Sequence, residues 1–194
     1  MNRHIVIEPH ADDAFLSLGG HIEMWRKRGE PVLIVTVYSG TRKRARDAQA
    51  YAEAVGASWL GLGAEEPDPR GRKAAEAVEA WRYDPPPLED SLSVYVPLAF
   101  ANPEHLAVRS VVEDRLEHLR RPPPLYFLDQ PYAGVQANGD ALQAALFDTT
   151  VVSYLRPPAR KYRHIPLFKD QAKFWHFNPA EKLQHNIELI VKEA

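Results

Sequence analysis

The chain contains no cysteine, which removes disulfides, thiolate metal sites and cysteine nucleophiles at once. Any metal it holds must be bound by histidine and carboxylate. No apolar run approaches the roughly 18 residues of a membrane span, and no signal-peptide core follows Met1-Asn2-Arg3-His4, so a cytoplasmic protein without a membrane span is expected. Charge excess is lacking too. The 24 Lys and Arg against 26 Asp and Glu leave a formal net charge of −2, which argues against a nucleic-acid partner bound through a broad basic surface. No G-x-G-x-x-G loop follows the first apolar run, which speaks against a dinucleotide-binding module.

What is present fits one domain over residues 1–194, with 45% hydrophobic residues to build a core. Seventeen prolines gather at Asp84-Pro85-Pro86-Pro87, Arg121-Pro122-Pro123-Pro124 and Pro157-Pro158, where they punctuate loops. Between them apolar runs and helical patterns alternate. Strands are expected at Ile5–Ile7, Pro31–Val37, Ser58–Leu62, Leu92–Val96, Leu125–Leu128 and Thr149–Tyr154. Helices are expected at Ala14–Arg28, Thr41–Val55 with Gly56 past its end, Ala74–Trp81 and Pro103–Leu119. A last amphipathic helix is expected to open at Asn178-Pro179-Ala180-Glu181 and run through Leu183, Ile187, Ile190 and Val191. This order predicts an α/β fold, a Rossmann-like, mostly parallel sheet with helices on both faces.

Pro9-His10-Ala11-Asp12-Asp13 directly follows the apolar run Ile5-Val6-Ile7. A strand turning into a helix there lets His10 and Asp13, three apart, converge on one divalent cation and leaves Asp12 for proton transfer. The same residues also suit a plain helix start, with Asp12 or Asp13 capping backbone amides. A second histidine, His105, stands in the helix-start context Asn102-Pro103-Glu104-His105. Ligands of open α/β sheets bind beyond the carboxyl ends of the strands. The expected site therefore draws on His10 to Asp13, Ser39 to Arg44, Asn102 to His105 and Asp129 to Tyr132, each behind a different strand.

Glu8-Pro9-His10-Ala11-Asp12-Asp13-Ala14-Phe15-Leu16-Ser17-Leu18-Gly19-Gly20 resembles the signature of the PIG-L/LmbE-like deacetylases. These are zinc-dependent enzymes that remove acetyl groups from N-acetylglucosamine conjugates and related amides. The resemblance implies that His10, Asp13 and His105 are the metal ligands, for zinc or another divalent metal such as iron. It also implies that Asp12 is the general base, taking a proton from a water the cation acidifies and delivering it to the departing amine. The second motif departs from the family's usual His-x-Asp-His. Asn102 stands where a histidine helps stabilise the oxyanion, and it offers a carboxamide donor without positive charge. Loss of one such donor costs about 2.7 to 4 kcal/mol of transition-state stabilisation, and His164 is a candidate substitute from elsewhere in the chain.

Arg44 and Asp47 match the family's Arg-x-x-Glu helix, with Asp replacing Glu, which implies that Arg44 reaches sugar hydroxyls or a phosphate at the pocket rim. A solvated basic face accounts equally well for Arg42, Lys43 and Arg46. The segment Tyr126 to Ala133 is similar to the strand and Pro-Tyr loop of a branch associated with sugar-conjugate biosynthesis. Tyr132, Lys161 and Gln171 are thereby implied at the substrate end, although such residues also serve as packing and rim. The expected function is deacetylation of a small-molecule N-acetyl sugar or sugar conjugate. The alternative is an attenuated relative that binds a sugar conjugate or metal. Apolar residues such as Trp175 and Phe177 mark either a homo-oligomer interface or the packing of the last helix.

Overall fold

Burial on both faces makes Arg3–Glu8 the centre of the molecule: all of its residues but the first are buried. In the computed structural model, the described residues are 3–68, 70–81, 92–130, 138–156, 159–168 and 187–194. They form seven strands and five α-helices in the order β1 (Arg3–Glu8), α1 (Asp13–Lys27), β2 (Val32–Thr36), α2 (Arg42–Val55), β3 (Ser58–Gly61), α3 (Arg72–Ala80), β4 (Leu92–Pro97), α4 (Pro103–His118), β5 (Leu125–Phe127), α5 (Gly139–Leu146), β6 (Thr149–Leu155) and β7 (Glu188–Glu193). A 3-10 segment, Ala159–Phe168, lies between β6 and β7.

One sheet contains all seven strands in the order β3-β2-β1-β4-β5-β7-β6. The first five run parallel, and β7 and β6 are added antiparallel. Period-two alternation divides the strand side chains between two cores. Val6, Val32, Ile34 and Tyr95 pack with Phe15, Leu18 and Ile22 of α1, Tyr51 of α2 and Phe168. Ile5, Ile7, Val35 and Val96 pack with Val78 of α3 and Val108, Val112 and Leu116 of α4. This is the expected α/β Rossmann-like architecture. Chain order reverses between β1 and β4: β2 and β3 build outward on one side, β4 and β5 on the other. A crevice at such a reversal is where open α/β sheets take their ligands.

The two main site helices begin differently. Asn102 caps α4 with Oδ1 accepting the Glu104 amide at 2.9 Å, and Pro103 fills the first turn. Asp12 occupies the cap position of α1 but makes no capping hydrogen bond with its side chain. The acceptor there is Glu8, whose Oε2 takes the Ala14 amide at 2.8 Å while Oε1 accepts from the Thr36 hydroxyl at 2.6 Å. At the end of α2, Gly56 adopts φ +73°, the left-handed geometry that closes helices and favours glycine.

The last third departs from expectation. Ile190 and Val191, expected on a helix, belong to β7 and are buried. The proposed start of that helix at Asn178 lies outside the described residues, as do Tyr132, Gln171, Trp175 and Phe177. Neither α5 nor the 3-10 segment was expected.

Candidate metal centre

The turn after β1 is held by Asp13, whose Oδ2 accepts the backbone N–H of His10 at 2.8 Å while its own N–H donates to His10 O at 3.2 Å. The first turn of α4 carries His105 in from the other side of the strand-order reversal. Three donor atoms meet there. His10 Nδ1 and His105 Nε2 are 3.2 Å apart, His10 Nδ1 and Asp13 Oδ2 are 3.4 Å apart, and His105 Nε2 and Asp13 Oδ2 are 3.3 Å apart. Tetrahedral zinc with bonds of about 2.0–2.2 Å would space its ligand atoms about 3.3 Å apart. The residues expected to hold a metal are thus brought together with the spacing that a small dication requires.

The outward nitrogens of both imidazoles are engaged. His10 Nε2 donates to Glu104 Oε2 at 3.0 Å, with Glu66 Oε1 at 3.3 Å. His105 Nδ1 donates to Asp129 Oδ2 at 3.1 Å, and the same oxygen accepts the Ala99 amide. With the outer N–H groups committed, the inner nitrogens aim lone pairs at each other and at Asp13. That arrangement is repulsive unless a positive charge sits between them. A proton fills the role in part. Burial works to lower the His10 pKa, but Asp13 and Glu104 outweigh it and raise the imidazole to about 10. His105 is likewise raised, with burial opposing and Asp13 and Asp129 prevailing, and Asp13 is held low by His105 and His10 against its burial. A dication meets the same field and the same donors, so the residues fit a metal.

Beyond the triad lies a chain of charges. Arg44 Nη2 donates to Glu66 Oε2 at 2.8 Å, and Glu66 stands next to His10. Glu104 Oε1 accepts the Asp68 amide, and Asp68 Oδ2 in turn accepts from the Tyr38 hydroxyl and the Ala74 amide. The Tyr38 ring stacks on His10 with centroids 5.5 Å apart. Burial raises the Glu66 carboxyl, whereas the His10 hydrogen bond holds Glu104 low. His10 is the most open of the three candidate ligands, 13% exposed against 6% for Asp13 and 1% for His105, so the site opens on its side.

Of the other expected residues, Asp12 sits in the turn between His10 and Asp13 with no helix amide on its carboxylate. Asn102 is drawn into capping through Oδ1. Arg44 reaches the rim through Glu66. Lys161 lies elsewhere: it is 1% exposed, and its ammonium donates to Glu188 Oε1 at 2.7 Å and Leu16 O at 2.8 Å. The expected substrate contact gives way to a buried ion pair behind α1. His164 also packs away from the centre, beside Glu23 and edge-on to Tyr51, so it does not substitute for the missing histidine. Glu104 and Asp129 belong to strand-end segments expected at the site, without an expected role of their own, and Glu66 lies outside those segments. Each stands behind a strand end or beside a ligand, and that position was the only signal they carried.

No family model matches the chain, and no curated protein matches it. Among solved structures, the A40926 pseudoaglycone deacetylase is 18% identical, with TM-score 0.66 over 89% of this chain and 83% of that one. A deacetylase of teicoplanin biosynthesis is 14% identical, with TM-score 0.65 over 100% and 99%. The 4-carboxy-2-hydroxymuconate hydratase GalB from Pseudomonas putida is 15% identical, with TM-score 0.55 over 90% and 82%. At such identities the likeness concerns the fold, which here hosts both deacetylases and a hydratase. The chain has the α/β fold of the PIG-L/LmbE-like deacetylases, the family that its first motif resembles.

Proposed function

We propose that the protein is a metal-dependent amide hydrolase that deacetylates an N-acetylated amino sugar or sugar conjugate. The observation that carries this reading is the triangle of His10 Nδ1, Asp13 Oδ2 and His105 Nε2, with edges of 3.2 to 3.4 Å and Asp12 in the turn that joins two of its corners. His10, Asp13 and His105 would hold zinc, or another divalent metal such as iron, which supplies polarisation of the amide carbonyl and acidifies a water.

The chain's own residues do the rest. Asp12 accepts a proton from the attacking water at its carboxylate and returns it to the amine nitrogen as the C–N bond breaks, so that amide and water give acetate and amine. Glu104 and Asp129 orient the imidazoles through their outer N–H groups. Arg44 is 29% exposed and paired with Glu66, a position from which its guanidinium meets substrate hydroxyls or phosphate at the rim. Tyr132 is proposed at the substrate end. Asn102, with Oδ1 on the helix, contributes to the oxyanion through its carboxamide N–H. The sugar-conjugate class is supported by the first-motif resemblance and by the deacetylases that share the fold.

The test is metal content by elemental analysis together with amine release from a panel of N-acetylglucosamine conjugates. Near-stoichiometric metal in the wild type, lost in His105→Ala, and amine release abolished in Asp12→Ala with metal retained are the expected results. Absence of metal under zinc-replete conditions sinks the proposal. The capping of α4 by Asn102 favours one further reading, an attenuated relative that binds metal and sugar conjugate without efficient turnover. Stoichiometric metal and saturable conjugate binding without amine release would select it.

A further inference from the structure

Five of the six exposed large apolar side chains among the described residues fall on one ribbon. Phe147 (83% exposed) caps the end of α5 two residues before β6, Val151 (57%), Val152 (47%) and Tyr154 (74%) lie on β6 itself, and Ile187 (51%) immediately precedes β7. β6 is the last strand of the sheet, paired with β7 on one side and with no strand on the other among the described residues. Monomeric proteins guard such edges with lysine, proline or inward charge. Thr149-Thr150-Val151-Val152-Ser153-Tyr154-Leu155 has no charged residue and no proline.

From this edge we infer that two copies of the chain associate through β6, antiparallel about a two-fold axis, so that their sheets join. A neutral strand meets its own copy without like-charge repulsion, and a two-fold interface requires such self-complementarity. The area is sufficient. Two aromatic side chains, 83% and 74% exposed, with the two valines and Ile187, offer roughly 500 Å² of apolar surface per protomer, and about 1,000 Å² for the pair is the threshold for a specific interface. Among the described residues no strand takes the outer backbone N–H and C=O groups of this edge, and a second antiparallel strand would satisfy them. The register shift between Val151 and Ser153 divides the edge into two runs, and cysteine scanning shows which of them pairs.

The absence of cysteine makes that scan clean. Thr150, Val151, Val152 and Tyr154 are replaced singly by cysteine and the proteins oxidised. In parallel, sedimentation velocity compares wild type with a Val152→Lys/Tyr154→Lys double variant. The expected results are a wild-type particle of twice the 22.0 kDa chain mass, a double variant at the single chain mass with unchanged melting temperature, and a disulfide dimer from at least one cysteine position. Facing residues of an antiparallel pair lie within disulfide reach. A wild type that stays monomeric at all concentrations overturns the inference, including the case in which a different partner covers the strand. So does a dimer that survives the double variant, or one in which no β6 cysteine cross-links.

Discussion

His10 is the residue on which the centre turns. One ring nitrogen faces Asp13 and His105, the other faces two carboxylates, and only one of those can take its N–H well. Glu104, at 3.0 Å and anchored by the Asp68 amide, is better placed than Glu66, at 3.3 Å and engaged by Arg44. Glu104→Gln is therefore expected to weaken zinc binding about 10- to 100-fold, as outer partners of metal-bound histidines do. Glu66→Gln is expected to weaken it less. Competition titration against a chromophoric chelator reads both, and equal losses would show that the two carboxylates share the role. The candidate ligands were legible because His10 and Asp13 stand in an unusual pattern behind a strand and His105 opens a helix behind another. Asp129 was legible as a strand-end residue of the site but not in its role on His105, and Glu66 was not legible at all, since a single acid after a strand looks like any loop residue. Lys161 was placed at the substrate end by resemblance, with packing as its other reading, and packing prevails: a lysine buried to 1% exposure is rare and leaves no mark in the sequence.

α1 shows at the scale of an element how distant segments set a helix. Glu188 of β7 accepts the amides of Gly20 and His21 and the His21 Nδ1–H, while Lys161 bridges Glu188 to Leu16 O. The approach is close enough that a Cβ on Gly20 would lie 2.9 Å from Leu155 Cδ2 and 3.1 Å from Glu188 Oε2. Leu155 can shift, but Glu188 is pinned. Gly20→Ala is thus expected to lower stability by about 1–3 kcal/mol in urea unfolding, despite the usual helical gain. Gly139→Ala, with nothing within 4 Å of the new methyl, is expected to raise it by about 0.5–1 kcal/mol.

Burial alone would raise the Glu188 carboxyl, yet Lys161 and His21 outweigh it and hold the group below its ordinary value of 4.5. A depressed carboxyl contributes stability that is present above the unfolded value and lost as pH falls through the folded one. Urea midpoints measured from pH 7 downward should fall below about pH 4.5 in the wild type, with a shallower fall in Glu188→Gln, whose stability should be lower at neutral pH by about 3–5 kcal/mol because Lys161 is left buried without its partner. The parallel strands were legible from continuous apolar runs between helical patterns. β7 was not. Ile190 and Val191 continue a helical period with Leu183 and Ile187, yet with Leu189 they equally make a short strand, an ambiguity periodicity cannot resolve. α5 is only eight residues long with none buried, and its stripe of Leu142, Ala145 and Leu146 is too short to announce a helix.

For the whole molecule, a ligand that binds only the folded chain adds its binding energy to stability. Zinc at 100 times its dissociation constant is expected to add about 2.7 kcal/mol, which raises the melting temperature by about 5–10 °C for a domain of this size. Calorimetry of zinc-loaded and chelator-treated protein checks this. The difference should vanish in His105→Ala, and a shift that persists there would place the stabilising metal elsewhere. The overall topology was the most readable level, because strand and helix alternate through the first two thirds of the chain and the connections of parallel strands are constrained.

The reversal of strand order between β1 and β4 also sets a clock. His10 and Asp13 would leave a ribosome well before His105, which follows His10 by 95 positions, and β1 and β2 can pair with α1 between them in the meantime. Yet the third ligand arrives only when β4 has threaded in beside β1 and α4 has begun to coil. Until then the nascent chain offers two donors and no centre, so metal capture reports that the two wings of the sheet have joined. A cation held there fastens two segments 95 positions apart, and its acquisition waits for the second of them.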